Sequence, residues 1–324
     1  MIISQTPFRL SFFGGGTDYA PYYKEYGGAV LSTTIDKFCY ITLRHLPQFF
    51  DYTTQISYHK REEVKNVEEI EHPSVKACMK YMNLDSLSIN YDADLPARTG
   101  LGSSSAFTVG LLHAMHGYKG EYIDKISLGK EAIHVEQDLI GENVGVQDQM
   151  AAACGGLNVM EFSQDDIVVR PVTLSLERKK QLSDCLLLVY TGISRFASKI
   201  AEEQIKNTPG KTLELKQMYD MVYEGEKILA GTDDIMLFGK LMNESWKIKR
   251  SLSGKISNST IDTIYDAALK NGAVGAKLLG AGGGGFMVLF SDPEKKSALI
   301  DTLKLMSVPF AFENNGSKII YYQP

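Results

Sequence analysis

The sequence predicts an α+β protein of two domains, each a sheet with helices packed against it, and three observations carry that prediction. Residues 1–95 hold several strand-like runs, two helical stretches and a hairpin follow, and beyond a polar stretch near Leu174–Ser183 the mixture of strands and helices begins again. The chain has 324 residues, 44% of them hydrophobic and 23% charged, which is material for two cores of ordinary size. We place the domains at 1–175 and 176–324.

Phe8–Phe13 and Phe38–Leu43 carry aromatic and β-branched residues, and Leu87–Tyr91 alternates with period two, so all three read as strands. Ser103–His116 and Tyr122–Ile140 read as helices. Leu157–Phe162 and Ile167–Val172, joined through Gln164-Asp165-Asp166, read as a hairpin. The second half opens on a strand, Cys185–Tyr190, and continues through helices between about Phe196 and Asn271, broken by a loop at Asn207–Lys211. Strands at Ala273–Leu279, Phe286–Phe290 and Lys318–Tyr322 and a helix at Glu294–Met306 complete it.

A net charge of −5 without a long basic run argues against nucleic acid as the default partner. The four cysteines, Cys39, Cys78, Cys154 and Cys185, form no C-x-x-C pair, which argues against zinc and against a disulfide framework. Met1–Gln5 lacks the basic flank and apolar run of a signal peptide, and Cys185–Tyr190 is too short to span a bilayer. The expectation is a cytoplasmic protein with no membrane association.

Four segments carry chemistry. The first, Leu95 to Ala106, is a glycine loop running into Ser103, Ser104 and Ser105 at the start of a buried helix. A helix start leaves backbone N–H groups unpaired and partially positive, which suits phosphate. Gly100 and Gly102 allow close backbone approach, and the same residues would also serve an ordinary capped loop. The second, Gly280–Gly285, matches G-x-G-x-x-G, but Phe286–Phe290 after it reads as a strand, whereas the dinucleotide fingerprint needs a helix there. A Walker A loop is absent, because Ile205 stands where its first glycine belongs before Gly210-Lys211-Thr212.

The third segment, Phe8 to Tyr19, places Arg9 inside an apolar run that ends in Gly14, Gly15 and Gly16 before Thr17 and Asp18. A buried arginine needs a carboxylate partner or an anionic ligand. Thr17 and Asp18 suit hydrogen bonds to sugar hydroxyls or an Asx turn. In the fourth, Glu136 has Ala132, Ile133, Leu139 and Ile140 at offsets of three and four, so it falls in an apolar stripe and needs a cationic partner or a bound cation. Twelve residues on, Asp148 follows a glycine turn, as an N-cap or a second functional acid.

Together these segments resemble the GHMP kinases, over nearly the whole chain. Pro7–Tyr19, Pro96–Ala106 and Gly275–Phe286 match the three family signatures in order, the middle one as P-x-x-x-G-L-G-S-S and the last through its G-A-G-G-G-G core. The resemblance implies an N-terminal domain similar to ribosomal protein S5 domain 2 and a ferredoxin-like C-terminal domain, with the active site between them. It implies ATP held by Pro96, Gly100, Leu101, Gly102, Ser103, Ser104 and Ser105, with Gly282 and Gly283 closing over the phosphates. It further implies Mg²⁺ on Ser104 and Glu136, Asp148 facing the acceptor hydroxyl, and Arg9 at the place of a transition-state arginine.

Gly14-Gly15-Gly16-Thr17-Asp18-Tyr19 keeps the Thr-Asp-Tyr of galactokinases without their Glu-His. It resembles the D-glycero-D-manno-heptose 7-phosphate kinases of bacterial surface-sugar pathways, as does Thr191–Ile200. That likeness implies phosphorylation of the anomeric hydroxyl, with Gly15, Gly16, Thr17 and Asp18 against the sugar. Arg195 and Lys199, one helical turn apart, are candidates for a phosphate already on the substrate, with Ser198 assisting and Arg44, Arg98 and Lys277 as further basic candidates. The competing readings are an L-fucokinase-like or other 1-kinase on an unphosphorylated sugar, and a non-catalytic sugar sensor on the same fold.

Overall fold

The computed structural model describes residues 1–194 and 197–323, and only the backbone of residues 197–199. Along the chain run β1 (Ile2–Phe13), α1 (Ala20–Tyr26), β2 (Gly28–His45), β3 (Thr54–Ser57), β4 (Arg61–Val64), α2 (Pro73–Tyr81), β5 (Leu87–Ala93) and α3 (Ser103–Lys119). Next come α4 (Lys125–His134), a π-helical continuation over Val135–Ile140, α5 (Gln147–Cys154), β6 (Asn158–Phe162) and β7 (Ile167–Pro171). The second half holds α6 (Leu176–Cys185), β8 (Leu186–Tyr190), α7 (Ala197–Asn207), α8 (Thr212–Ala230), α9 (Met236–Ser251) and α10 (Ser259–Lys270). It ends with β9 (Ala273–Leu278), β10 (Phe286–Ser291), α11 (Lys296–Leu303), β11 (Ser307–Val308), β12 (Phe312–Glu313) and β13 (Lys318–Tyr322).

The first sheet runs β13-β1-β2-β5-β3-β4, with β12 and β6 also on β2 and β7 on β6. The 18-residue β2 makes this possible: one edge pairs with β1, and the other takes β6, β12 and β5 in succession. The second sheet runs β11-β8-β10-β9 with every pairing antiparallel, so its four strands stand in the order 4-1-3-2 of a ferredoxin-like ladder. The halves share a core. Phe12 and Phe13 of β1 meet Phe238 of α9 edge-on at 5.2 and 5.0 Å, and Phe238 also packs on Phe290 of β10.

Several expectations need correction. The polar stretch Leu174–Ser183 is mostly α6, capped by Ser175 and buried through Arg178, Leu182 and Cys185. Its charge pattern reads as a domain boundary, yet the Arg178 guanidinium is buried because it bonds the carbonyls of Ile228 and Leu229 in the last turn of α8 and of Asp233 just beyond it. The helix expected from Tyr122 begins at Lys125, where the Asp124 carboxylate accepts from the N–H groups of Ile126 and Ser127. Residues 312–322, expected with the second domain, return to the first sheet through β12 and β13. All four cysteines are free, and among the described residues no helix is long and apolar enough to cross a membrane.

Candidate active site

The centre of the site is an ion pair between the first strand and a helix 139 residues later. Arg9 faces Asp148, in the first turn of α5, and donates from Nε to Oδ1 and from Nη2 to Oδ2, each at 2.8 Å. Its Nη1 donates to the Gly100 carbonyl at 2.6 Å, and its backbone N–H to that of Leu101 at 3.0 Å. Such a fork fixes a carboxylate in both distance and plane. The Arg9 side chain is 4% exposed while that of Asp148 is 27% exposed, so the arginine is the buried support and the acid faces the opening. Asp148 lies inside the first turn rather than at the cap, which is Val146.

The glycine loop rests on this pair. Gly102 caps α3 in a left-handed conformation with no side-chain bond to the first-turn N–H groups, and a Cβ there would lie 3.4 Å from Asp148 Oδ2. A 17-residue helix thus directs its open, partially positive end to the neighbourhood of Asp148. Leu101 is fully buried, and the Ser103 hydroxyl accepts from the Arg98 N–H at 3.2 Å. Pro96 accepts from the Thr99 hydroxyl at 2.9 Å, closing the loop's base.

The two glycine segments pack on one another. A Cβ on Gly100 would come within 2.5 Å of the Leu279 carbonyl oxygen, and one on Gly285 within 2.2 Å of that of Thr99. Gly283 donates its N–H to Ile256 at 2.9 Å, which takes that donor out of the phosphate-facing set expected of it, while Gly282 stays partly exposed against the same residue. The glycine run therefore joins the two halves by allowing backbone-to-backbone contact.

Glu136, in the π-helical turn, is buried as its apolar-stripe position predicts. Its Oε2 accepts from the Ser105 hydroxyl at 2.9 Å and from Gln149 Nε2 at 2.5 Å, while Oε1 has no hydrogen-bond partner among the described residues. Burial pushes its pKa up to about 7 against the donors around it. The serine on Glu136 is Ser105, whereas Ser104 is exposed and makes no bond to it, because consecutive residues of α3 point about 100° apart. Among the described residues no group of three or more His, Cys, Asp or Glu gathers to hold a metal. An unpartnered buried carboxylate oxygen, with the exposed Ser104 hydroxyl in the same first turn of α3 as the Ser105 that bonds Glu136, still fits a Mg²⁺ completed by phosphate and water, the usual mode for that ion.

Beyond the glycines, Thr17 is fully buried and donates to the carbonyls of Gly14 and Ala29, so it shapes the turn and does not face a ligand. Asp18 is also buried, accepting from the Gly16 N–H at 2.8 Å and from Gln147 Nε2 at 2.9 Å. Burial foremost, with Asp148 adding to it, raises its pKa. Lys277 is buried and donates to the Ser11 and Phe12 carbonyls of β1, which takes it from the candidates for a substrate phosphate. Arg195 lies outside the described residues, as do the side chains of Ser198 and Lys199.

Lys249, on α9, was not among the expected residues. It is 6% exposed, donates to the Gly280 carbonyl at 2.7 Å, and would lie 3.5 Å from a Cβ on Gly15. The signal was present: Met242, Ser245, Trp246 and Lys249 share the buried stripe of α9, as Glu136 does on its helix. Gln147 and Gln149 were equally missed, being ordinary polar residues next to conspicuous ones, while Ser105, expected among the ATP-loop serines, bonds Glu136.

A profile of the GHMP kinases N terminal domain matches residues 67–156, and one of the GHMP kinases C terminal domain matches residues 227–306. The chain is 32% identical to a D-glycero-alpha-D-manno-heptose 7-phosphate kinase of Campylobacter jejuni, over 98% of each. It is 25% identical to an L-fucokinase/L-fucose-1-P guanylyltransferase of Bacteroides fragilis, over 91% of this chain and 35% of that longer protein. The crystal structure of a D-glycero-D-manno-heptose 1-phosphate kinase from Bacteroides thetaiotaomicron shares the fold, with a TM-score of 0.82 at 22% identity over the full length of both chains.

Proposed function

The chain belongs to the GHMP kinases, phosphotransferases with an alcohol group as acceptor, and on that premise we propose that it moves the γ-phosphoryl group of ATP to the anomeric hydroxyl of D-glycero-D-manno-heptose 7-phosphate. The product would be the 1,7-bisphosphate, a precursor type suited to surface-sugar assembly. The observation that carries phosphoryl transfer is the open end of α3 abutting the Asp148 carboxylate. An anion bound there lies within reach of an acid that can take a hydroxyl proton. The sugar's identity is supported by the 32% identity to the Campylobacter enzyme and by the Gly14–Tyr19 signature.

The residues divide the work. The first-turn N–H groups of α3, with Ser103, Ser104 and Gly102, receive phosphate oxygens. Asp148, with one face open, accepts the proton of the attacking hydroxyl, and Arg9 holds it in the required plane. Because three of the five Arg9 N–H donors are engaged with Asp148 and Gly100, its first task is positioning, and its charge acts on the phosphoryl group from behind the loop. Glu136 and Ser104 would hold Mg²⁺, which when bound neutralises phosphate charge. Asp18 keeps Gly16 and Gln147 together and so sets the floor of the acceptor side.

The test is ADP release with Mg·ATP across D-glycero-D-manno-heptose 7-phosphate, the unphosphorylated heptose, L-fucose, D-galactose and D-mannose, with Asp148→Asn as control. The expected result is strong preference for the 7-phosphate, and a kcat roughly 10²–10⁴-fold lower in the control. Preference for L-fucose would favour the second reading, a 1-kinase on a plain sugar, for which the Bacteroides fragilis relative speaks. Release of ADP from Asp148→Asn at the wild-type rate would remove Asp148 from the chemistry.

A further inference from the structure

Three polar side chains from three elements converge on Gly15 and Gly16, and two of them carry buried atoms with no partner among the described residues. Gln204 of α7 is 3% exposed, and its Nε2 makes no hydrogen bond. That same atom would lie 2.5 Å from a Cβ on Gly16, where the backbone has a φ of +116°. Gln147, at the start of α5, donates from Nε2 to Asp18 but leaves its buried Oε1 unpaired. Lys249 Nζ, from α9, and Gln147 Nε2 stand 3.5 and 3.7 Å from a Cβ position on Gly15.

A buried amide N–H without an acceptor destabilises a fold, and a leucine of similar size would avoid that cost. Keeping glutamine there makes physical sense if an acceptor arrives with a ligand. The neighbours describe that ligand: an amide donor against Gly16, and an ammonium and a second amide against the adjacent Gly15, match a hydroxylated compound, since each sugar hydroxyl both gives and takes a hydrogen bond. We propose that Gln204, from the second half of the chain, is a specificity-determining residue that donates from Nε2 to an oxygen of the acceptor sugar, with Gln147 Oε1 accepting from a hydroxyl beside it. This rests on the sugar-kinase reading above. Gly16 lacks the Cβ that would displace the Gln204 amide, and α7 thereby makes the acceptor site a joint product of both halves.

The experiment uses the full chain and whichever sugar of the panel above the wild type phosphorylates, so an acceptor other than the heptose 7-phosphate counts against the substrate assignment and still tests Gln204. For Gln204→Leu the expected result is a sugar KM raised roughly 10- to 100-fold, with the ATP KM within about twofold and a melting temperature no lower than wild type. Gln204→Glu, which keeps size and polarity but replaces the donor by an acceptor, is expected to raise the sugar KM likewise and decides the matter if the leucine variant does not fold. A sugar KM within about twofold of wild type in the folded variant overturns the proposal. So does a lowered melting temperature with an unchanged sugar KM, which would make Gln204 a structural residue.

Discussion

Lys249 brings a positive charge into a nearly closed site where Arg9 is already present. Burial pushes its pKa down to about 8; the carboxylates of Asp18 and Asp148 work against that, and Arg9 works with it. The ordinary value of 10.5 holds in the unfolded chain, so between about 8 and 10.5 the unfolded state binds the extra proton and stability rises with pH. The folding cost of the charge is therefore fully present below about 8 and gone above about 10.5. Melting curves of wild type and Lys249→Met should show the wild type gaining on the variant across that window. If the ammonium also faces an anionic substrate, wild-type kcat/KM should fall above pH 8 as the charge is lost, and the variant should lack that limb. A stability difference independent of pH would show that Lys249 is not desolvated as its burial implies.

At the scale of elements, the glycine loops act as a joint between the halves. Gly100 and Gly120 both have left-handed backbones, with φ of +82° and +72°, but a Cβ on Gly120 meets nothing within 4 Å. One on Gly100 meets backbone atoms of Leu279 and Gly280, which cannot move aside as a flexible side chain would. Gly120→Ala should therefore cost about 1 kcal/mol, the left-handed penalty alone. Gly100→Ala should cost about 2–5 kcal/mol through added overpacking, and should raise the ATP KM because the loop must shift. Chemical denaturation measures the first difference and steady-state kinetics the second. Equal costs for the two variants would mean that the loops do not bear on each other as described.

The whole molecule is closed by its own tail. β13 pairs with β1 from Ile2↔Tyr322 onward and β12 pairs with β2, while the Ser317 hydroxyl bonds Thr6 at 2.8 Å and His113 at 2.9 Å. The first sheet thus depends on strands that arrive only after the second sheet is complete, a strongly non-local pairing. A chain stopping at Phe310 exposes the edge of β1 and leaves Thr6 and His113 without these bonds, so it should lose its single cooperative thermal transition and aggregate. A sharp transition near the wild-type temperature would show that the first sheet stands without the tail.

Sequence alone determined the mixed class, most long strands and helices, and the three signatures that mark the family. Those features are written in periodicity and in residue types whose local behaviour needs no neighbour. It also marked Glu136 and Arg9, because a charge inside an apolar stripe is conspicuous wherever it occurs. Only the tertiary structure decided their partners: that Arg9 holds Asp148, that Ser105 and not Ser104 bonds Glu136, and that Thr17 serves the turn. It likewise decided that Lys277 is locked to β1, that Lys249 and Gln204 reach Gly15 and Gly16, and that the tail rejoins the first sheet. The physical reason is the same in each case. Hydrogen-bond and ion partners are chosen by proximity across elements far apart in the chain, and single-residue patterns record burial but not who is on the other side.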